Sequence, residues 1–461
     1  MKIVVLGGSP KGDESATMQY VHYIQRQFPQ HDLEIIQVSQ RIRKIETVEG
    51  AFDEIVNAIR SADGVLWAFP VYFLAVPYGY KRFIELVFER GVAEDFAGKY
   101  AAVLTTSIHF FDHTAHNYMR AVCDDLGMAF GGSCSAEMYD LVSEAGRETT
   151  KQFARNFFDA IENEYPAARA FQPVVPTALE YVPDVEKAPV DPWDRKILVL
   201  TDSVDESTNL GRMVERFRSA FSEGVEVIDL NGVDIKGGCL GCIQCGYANE
   251  CAYGDRDEFV DFYNSKVKTA DIVVFAGHIV DRYLSSLWKM YFDRSFFNNH
   301  TPSLMNKQTA FIISGPLGQN ANLRQILQGY IECQIANIVD FVTDEATDSA
   351  ALDATLHSLA ERLVQCSRRE VLMPATFLGF GGIKVFRDDI WGRLRFPFLA
   401  DHKFYKANGV YDFPQKDVKA RLQNALLILL TKIPSMRKEL YTKRIKAEMI
   451  KPLQKALEAG D

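Results

Sequence analysis

Long apolar runs are missing from this 461-residue chain: the longest late one, Ala425 to Leu430, is far too short to span a bilayer. A basic excess is missing as well. With 51 Lys and Arg against 61 Asp and Glu the net charge is -10, which argues against nucleic acid as the main partner, because phosphate backbones call for a basic footprint. The first residues, Met-Lys-Ile-Val-Val-Leu-Gly-Gly, lack the charged start and long apolar core of a secretory signal. The expectation is a cytoplasmic protein whose thiols stay reduced. Neither G-x-G-x-x-G nor the P-loop pattern follows the first strand, so a dinucleotide fold of that kind and a nucleotide-phosphate P-loop drop out. Cysteine is scarce, with eight in all.

Four of those eight sit within thirteen residues, Cys239-Leu-Gly-Cys242-Ile-Gln-Cys245-Gly-Tyr-Ala-Asn-Glu-Cys251, as C-x2-C-x2-C-x5-C. Three thiols on one tight loop and a fourth close behind suit a compact iron-sulfur cluster, which needs four soft, deprotonated ligands on one side. Structural zinc usually takes two separated C-x2-C pairs; zinc and a metal-free loop remain the alternatives.

At this length two or three domains are expected. Lys2 to Gly7 is a β-branched apolar strand that runs into Gly8-Ser9-Pro10-Lys11-Gly12-Asp13-Glu14-Ser15-Ala16-Thr17 and then a helical pattern to about Phe28. Backbone N-H groups and the helix dipole converge at such a turn, and the hydroxyls of Ser9, Ser15 and Thr17 with Lys11 would suit one terminal phosphate. A merely capped strand-helix turn is the plainer reading. Further strands are expected at Leu33 to Val38, Gly64 to Phe69 and Tyr100 to Thr106, with a helix near Phe52 to Ile59 between the first two.

The third strand empties into Pro70-Val71-Tyr72-Phe73, which could flank a flat ring or form a rigid turn whose aromatics belong to the core. The fourth ends in Thr106-Ser107-Ile108-His109, with Asp112, His113 and His116 beyond. These side chains read better as part of a ligand edge than as a metal site. Alternating strands and helices predict a parallel sheet wound on both faces, with ligands at the carboxyl ends of the strands.

Six prolines between Pro166 and Pro192 predict a stiff linker. From Lys196 the plan repeats, with strands at Ile197 to Leu200, Val225 to Leu230, Ile272 to Ala276 and Thr309 to Ile313. The cysteine loop follows the second of these. Lys289 and Phe292-Asp293-Arg294 echo Lys81 and Phe83. The second copy of the first loop carries Asp202, Asp205 and Glu206 and no lysine, so it is the poorer anion site. Phe377 to Gly382 reads as a loop, and the residues from Lys416 onward read as helical, with eleven Lys and Arg against five Asp and Glu.

At Gly8-Ser9-Pro10-Lys11 with Ser15 and Thr17, at Pro70-Val71-Tyr72-Phe73 and at the four cysteines, the chain resembles the NADPH-dependent FMN reductases. More narrowly it resembles the iron-sulfur flavoproteins of anaerobic microbes. The resemblance implies an α/β fold, two flavodoxin-like doubly wound parallel sheets in tandem with a helical C-terminal extension. The implied divisions are residues 1-165 for FMN, 166-195 as linker, 196-372 carrying the cysteine loop, and 373-461 as a basic extension. It also implies FMN on Ser9, Pro10, Lys11, Ser15 and Thr17, on Pro70, Val71, Tyr72 and Phe73, and on Thr106, Ser107 and His109, with Tyr72 or Phe73 stacked on the ring. Cys239, Cys242, Cys245 and Cys251 would hold a four-iron, four-sulfur (4Fe-4S) cluster.

Electrons would pass from a reduced donor, ferredoxin or NAD(P)H, through the cluster to FMN and on to an unnamed acceptor. Family members bring the cluster of one subunit close to the flavin of another. One chain with a good flavin loop in the first copy and cysteines in the second could imitate that dimer, or itself form a homodimer. Two other readings stand beside this one: an NAD(P)H-dependent FMN or quinone reductase without a cluster, and a flavodoxin-like scaffold without redox work.

Overall fold

The computed structural model describes residues 1-184, 188-412 and 417-459; residues 185-187 of the expected linker and Lys416 at the head of the basic tail lie outside the described residues. It divides into two compact units, Met1–Phe404 and Tyr405–Asp461. The first unit holds two parallel sheets. One contains β1 (Lys2–Gly7), β2 (Asp32–Gln37), β3 (Gly64–Pro70), β4 (Tyr100–Ser107) and β5 (Ala129–Glu137), in the order β2-β1-β3-β4-β5. The other contains β6 (Ile197–Thr201), β7 (Val225–Asp229), β8 (Ile272–His278), β9 (Gln308–Ser314) and β10 (Asn337–Thr343), in the order β10-β9-β8-β6-β7. Each follows the flavodoxin-like order, and the tandem repeat read from the sequence is present.

The central strands are the β-branched runs. Ile3, Val4, Val5 and Leu6 are all fully buried, as a parallel strand covered by helices on both faces must be. Both fifth strands escaped the sequence reading. β5 contains Gly131-Gly132-Ser133, lies at an edge and shifts register between Ala101 and Ala102 of its neighbour. β10, also at an edge, shifts register around Asp340. Edge strands bury less, so neither needs the continuous apolar pattern that marks the central strands.

One apolar core runs without a break from Val4 in the first half to Ala336 in the second, while each sheet has a further core on its other face. Helix Tyr78–Glu89 of the first half meets its counterpart Ser286–Ser295 of the second within the shared core. Phe73 lies parallel to Phe292, with centroids 5.6 Å apart, and Tyr330 packs against both. Burying each such ring contributes about 1.5–3 kcal/mol.

The polar contacts of this junction are reciprocal. The N-H of Tyr78 donates to Asp293 at 2.7 Å and that of Ser286 donates to Glu85 at 2.6 Å. Lys81 pairs with Glu85 on its own helix, and Lys289 pairs with Asp293 in the same i, i+4 spacing; both lysines are fully buried. The two halves therefore meet as two subunits of a symmetric dimer would, within one chain.

The proline-rich linker has little regular structure but is fastened. Tyr181 is fully buried, its hydroxyl donates to Asp353, and its N-H donates to Asn209 at 2.9 Å. Phe377 to Gly382, expected as a loop, begins the helix Phe377–Trp391. Its glycines are there for close packing: a Cβ at Gly379 would lie 2.6 Å from Glu332 Cβ, and one at Gly382 would lie 2.7 Å from the Phe110 ring and 2.9 Å from Cys333 Sγ. Read without its partner helix Ala321–Cys333, a Gly-rich segment looks like a turn.

Candidate functional site

Three loops leave the carboxyl ends of β1, β3 and β4 and are tied together by Thr106. Its hydroxyl lies 2.6 Å from the Thr17 hydroxyl, and its carbonyl accepts from the Val71 N-H at 3.1 Å. All twelve residues expected to form the ligand edge lie on or beside these loops. In the first loop Ser9 is fully buried, and its Oγ accepts from the Lys11 N-H at 3.2 Å; Lys11 itself is exposed. Pro10 bridges the two. Ser15 Oγ caps the following helix by accepting from the Met18 N-H. Gly8 can only be glycine, because a Cβ there would stand 2.5 Å from Phe69 Cβ. The loop thus rides directly on the core, with a helix N-terminus behind it.

The second loop is a tight reversal. Tyr72 and Ala75 exchange N-H to carbonyl bonds at 3.0 and 3.1 Å, with Phe73 and Leu74 at positive φ of 44° and 65° between them. Hairpin turns of this kind usually use Asn or Gly, and each non-glycine residue in the left-handed region costs about 1–2 kcal/mol. Packing holds the strain. Phe73 stacks on Phe292, Leu74 is buried, and the Lys289 ammonium donates to the Tyr72 carbonyl at 3.1 Å. Phe73 is therefore also part of the junction between the halves.

In the third loop the Ser107 Oγ accepts from the His109 N-H, and His109 Nδ1 lies 2.9 Å from Asp112 Oδ2, which also accepts from Ser135. The three histidines do not converge. His109 faces Asp112, His113 lies near Gln325, and His116 is bonded to Thr105 at 2.7 Å, with burial holding its ring below the usual histidine range.

The cysteine loop of the second half closes against this edge. A Cβ at Gly241, whose φ is +65°, would overlap the Tyr72 hydroxyl and stand 3.2 Å from Lys11 Cε. Likewise a Cβ at Gly238 would lie 2.8 Å from Tyr78 Cβ. Two glycines thus let the loop carrying the thiols touch two of the three loops of the first half. The base of the loop is anchored by Arg294, which makes two hydrogen bonds to Asp257, one to the Gly237 carbonyl, and stacks 3.8 Å over the Tyr253 ring.

All eight cysteines are free thiols. Burial pushes Cys239 and Cys245 up to about 12 each, and the neighbouring thiols add to the rise: Cys242 and Cys245 act on Cys239, and Cys242 and Cys251 act on Cys245. Cys239 and Cys245 thus each feel the charge of other thiols of the loop, and a cluster would need one thiolate at each of four corners. A single zinc ion would draw its thiolates to within about 2.3 Å of one centre. Among the described residues no group of three or more His, Cys, Asp or Glu side chains is arranged to hold a metal ion.

The matching edge of the second half is occupied by its own carboxylates. Asp202 takes the Ser285 hydroxyl and lies 3.0 Å from His278, where it holds that imidazole above the usual range. Asp344 accepts from the Gly315 N-H, the Ser314 hydroxyl and the Asn209 amide at 2.7–3.0 Å. Ser314 stands where Thr106 stands in the first half, each opposite the end of its neighbouring strand. An anion arriving there would meet two buried carboxylates.

Lys289, Asp293 and Gly241 were not read as site residues. The repeated Lys-x3-acid spacing on the two matching helices was a visible signal for the first two; the role of Gly241 depends on a contact between distant segments, which no local pattern carries.

Residues 1–137 match the family model for NADPH-dependent FMN reductase. Among solved structures, an apo NADH:FMN oxidoreductase is 19% identical, with 34% of this chain and 87% of that one covered and a TM-score of 0.29. A flavoenzyme NAD(P)H:(acceptor) oxidoreductase from Paracoccus denitrificans is 17% identical, with 35% and 97% covered and a TM-score of 0.28. The Trp repressor binding protein of Bacillus subtilis is 16% identical, with 33% and 96% covered and a TM-score of 0.27. No curated protein matches the chain.

Proposed function

We propose that this chain is an FMN-dependent NAD(P)H oxidoreductase, with FMN on the three loops of the first half and a 4Fe-4S cluster on Cys239, Cys242, Cys245 and Cys251 of the second. The FMN reading is supported by the family match over residues 1–137 and by the loops that carry it. The single observation behind the two-cofactor reading is the seat of Gly241 against Tyr72 and Lys11, which brings the thiol loop onto the proposed flavin edge. The second half takes no flavin of its own, because Asp202 and Asp344 engage the groups an anion would use.

In this reading the FMN supplies two-electron chemistry with NAD(P)H and the cluster one-electron exchange with a donor such as ferredoxin. The protein's part is binding and placement. Lys11 supplies the cation for the phosphate, with backbone N-H groups of the first loop around it. Ser9 and Ser15 shape that loop, and Thr17 fastens it to Thr106. Tyr72 lies at the ring edge; burial, with Cys239 and Asp293 nearby, raises its hydroxyl well above the usual range, so it stays a donor. Pro70, Val71, Ser107 and His109 line the remaining rim.

A reductase without a cluster is the second reading, favoured by the lack, among the described residues, of a side-chain group already arranged for a metal ion.

Titrating FMN and riboflavin separately into the flavin-free protein tests the flavin site. Lys11→Ala is expected to weaken FMN about 10- to 100-fold, as loss of a charge-assisted contact does, and to leave riboflavin affinity unchanged. Equal affinity of the unaltered protein for FMN and riboflavin would remove the phosphate site.

A further inference from the structure

Tyr405–Asp461 is a compact unit of its own. It is helical over Val418–Leu430, Pro434–Glu439 and Ile445–Ala459. The first of these helices has no buried residue. Its last six positions, Ala425 to Leu430, are all apolar, and Leu426, Leu427, Ile428 and Leu429 are 45–63% exposed. Six consecutive residues exceed one turn of about 3.6, so this helix end is apolar on every side. A helix end apolar on every side calls for cover on more than one face, which a lipid headgroup boundary supplies to a helix end that dips into it.

The last helix is built differently and points the same way. Ile445, Met449, Ile450, Leu453 and Leu457 are 42–84% exposed. At about 100° per residue they fill roughly 140° of arc, with Lys451 and Lys455 on the opposite side. Pro452 lies inside this helix, which suits a helix resting on a fluid surface better than one continuing a coiled-coil seam. Charge supplies the complement. The stretch Lys416 to Asp461 carries +6 on a chain of net -10, leaving -16 on everything before it. A basic apolar segment on an acidic protein matches an anionic, apolar-cored surface.

We propose that Tyr405–Asp461 is a peripheral anchor that docks on anionic phospholipid, with the apolar end of Val418–Leu430 and the apolar stripe of Ile445–Ala459 entering the headgroup boundary and the basic residues of the segment held within a Debye length of the lipid phosphates. It lies on the bilayer and does not cross it: among the described residues no helix is long and apolar enough to span one. The inference is independent of which cofactors the chain binds.

Co-sedimentation of the full chain with vesicles tests it. With about one-third phosphatidylglycerol in phosphatidylcholine, binding is expected to exceed that to pure phosphatidylcholine at least tenfold and to weaken as salt is raised. Lys451→Gln with Lys455→Gln is expected to weaken it about 30-fold, since each basic residue near such a surface contributes roughly fivefold. Leu426→Asp with Leu429→Asp is expected to abolish it. These side chains are exposed, so far-ultraviolet circular dichroism should stay that of the unaltered protein. Equal binding to both vesicles, binding unaffected by both double variants, or no binding at all would overturn the anchor. So would a dimer that Leu426→Asp with Leu429→Asp converts to monomers in protein that ignores vesicles, which would assign the apolar surface to self-association.

Discussion

Cys245→Ser is expected to abolish iron-sulfur absorbance and reduction of the flavin by a ferredoxin-type donor, while FMN stays bound and still accepts hydride from NADPH. Cys245 is the choice because it is the most enclosed thiol of the loop and its charge is felt with those of Cys239, Cys242 and Cys251. A cluster that loses one of four thiolate corners loses its hold on iron, and serine offers a hard oxygen in place of a soft sulfur. The pH behaviour follows from burial. With Cys239 and Cys245 pushed up to about 12, both thiols are protonated near neutrality in metal-free protein, and a ligating thiolate must give up that proton. Reconstitution with iron and sulfide should therefore release protons and proceed further as pH is raised. Cys366→Ser, on the helix Ser349–Arg368 away from the loop, should change nothing. Full iron content in Cys245→Ser would show that these four residues are not the ligands.

The second large effect is expected at Lys289. This ammonium is fully buried, pairs with Asp293 and donates to the Tyr72 carbonyl. Burial lowers its pKa and raises that of Asp293, because each has one close charged partner in an apolar setting. Lys81, the matching residue, has two carboxylates, at 2.8 Å to Glu85 and 3.0 Å to Asp281, and these outweigh the burial that opposes its charge. Lys289→Met leaves Asp293 buried without its cation and the Tyr72 carbonyl without that donor, at a cost of about 3–5 kcal/mol. At about 2.1 cal/mol/K of unfolding entropy per residue, a unit of this size should lose roughly 4–6 °C in Tm. Lys289→Met combined with Asp293→Leu should recover most of the loss, because it is the stranded charge that costs, not the missing pair. A single variant within about 1 kcal/mol of the parent would mean that Asp293 is neutral in the native protein. FMN affinity should fall along with stability, since Tyr72 is held in its strained turn from this side.

Much of this was legible because the physics was local. The central strands announced themselves as β-branched apolar runs, the first loop as small polar residues between a strand and a helix, and the repeat as the same order met twice. The two fifth strands did not, since β5 is rich in glycine and β10 is interrupted at Asp340. Phe377 to Gly382 was misread for a related reason: its glycines serve a neighbouring helix that is distant in sequence. Phe73 shows the same limit within the site, because its stacking on Phe292 and its packing against Tyr330 join residues far apart in sequence. The seat of the cysteine loop on Tyr72 and Lys11 is a property of the assembled halves and has no sequence signature beyond a glycine between two cysteines.

The relay between two cofactors rests on both being present in one chain. Anaerobic purification, followed by an ultraviolet-visible spectrum with iron, sulfide and flavin assays on the same sample, tests this most directly. About four irons, four sulfides and one flavin per chain, with a broad shoulder under the flavin bands, is the predicted result. Flavin bands with no iron or sulfide, in protein that also fails to take up a cluster on reconstitution, would contradict it and leave a reductase that works with FMN alone.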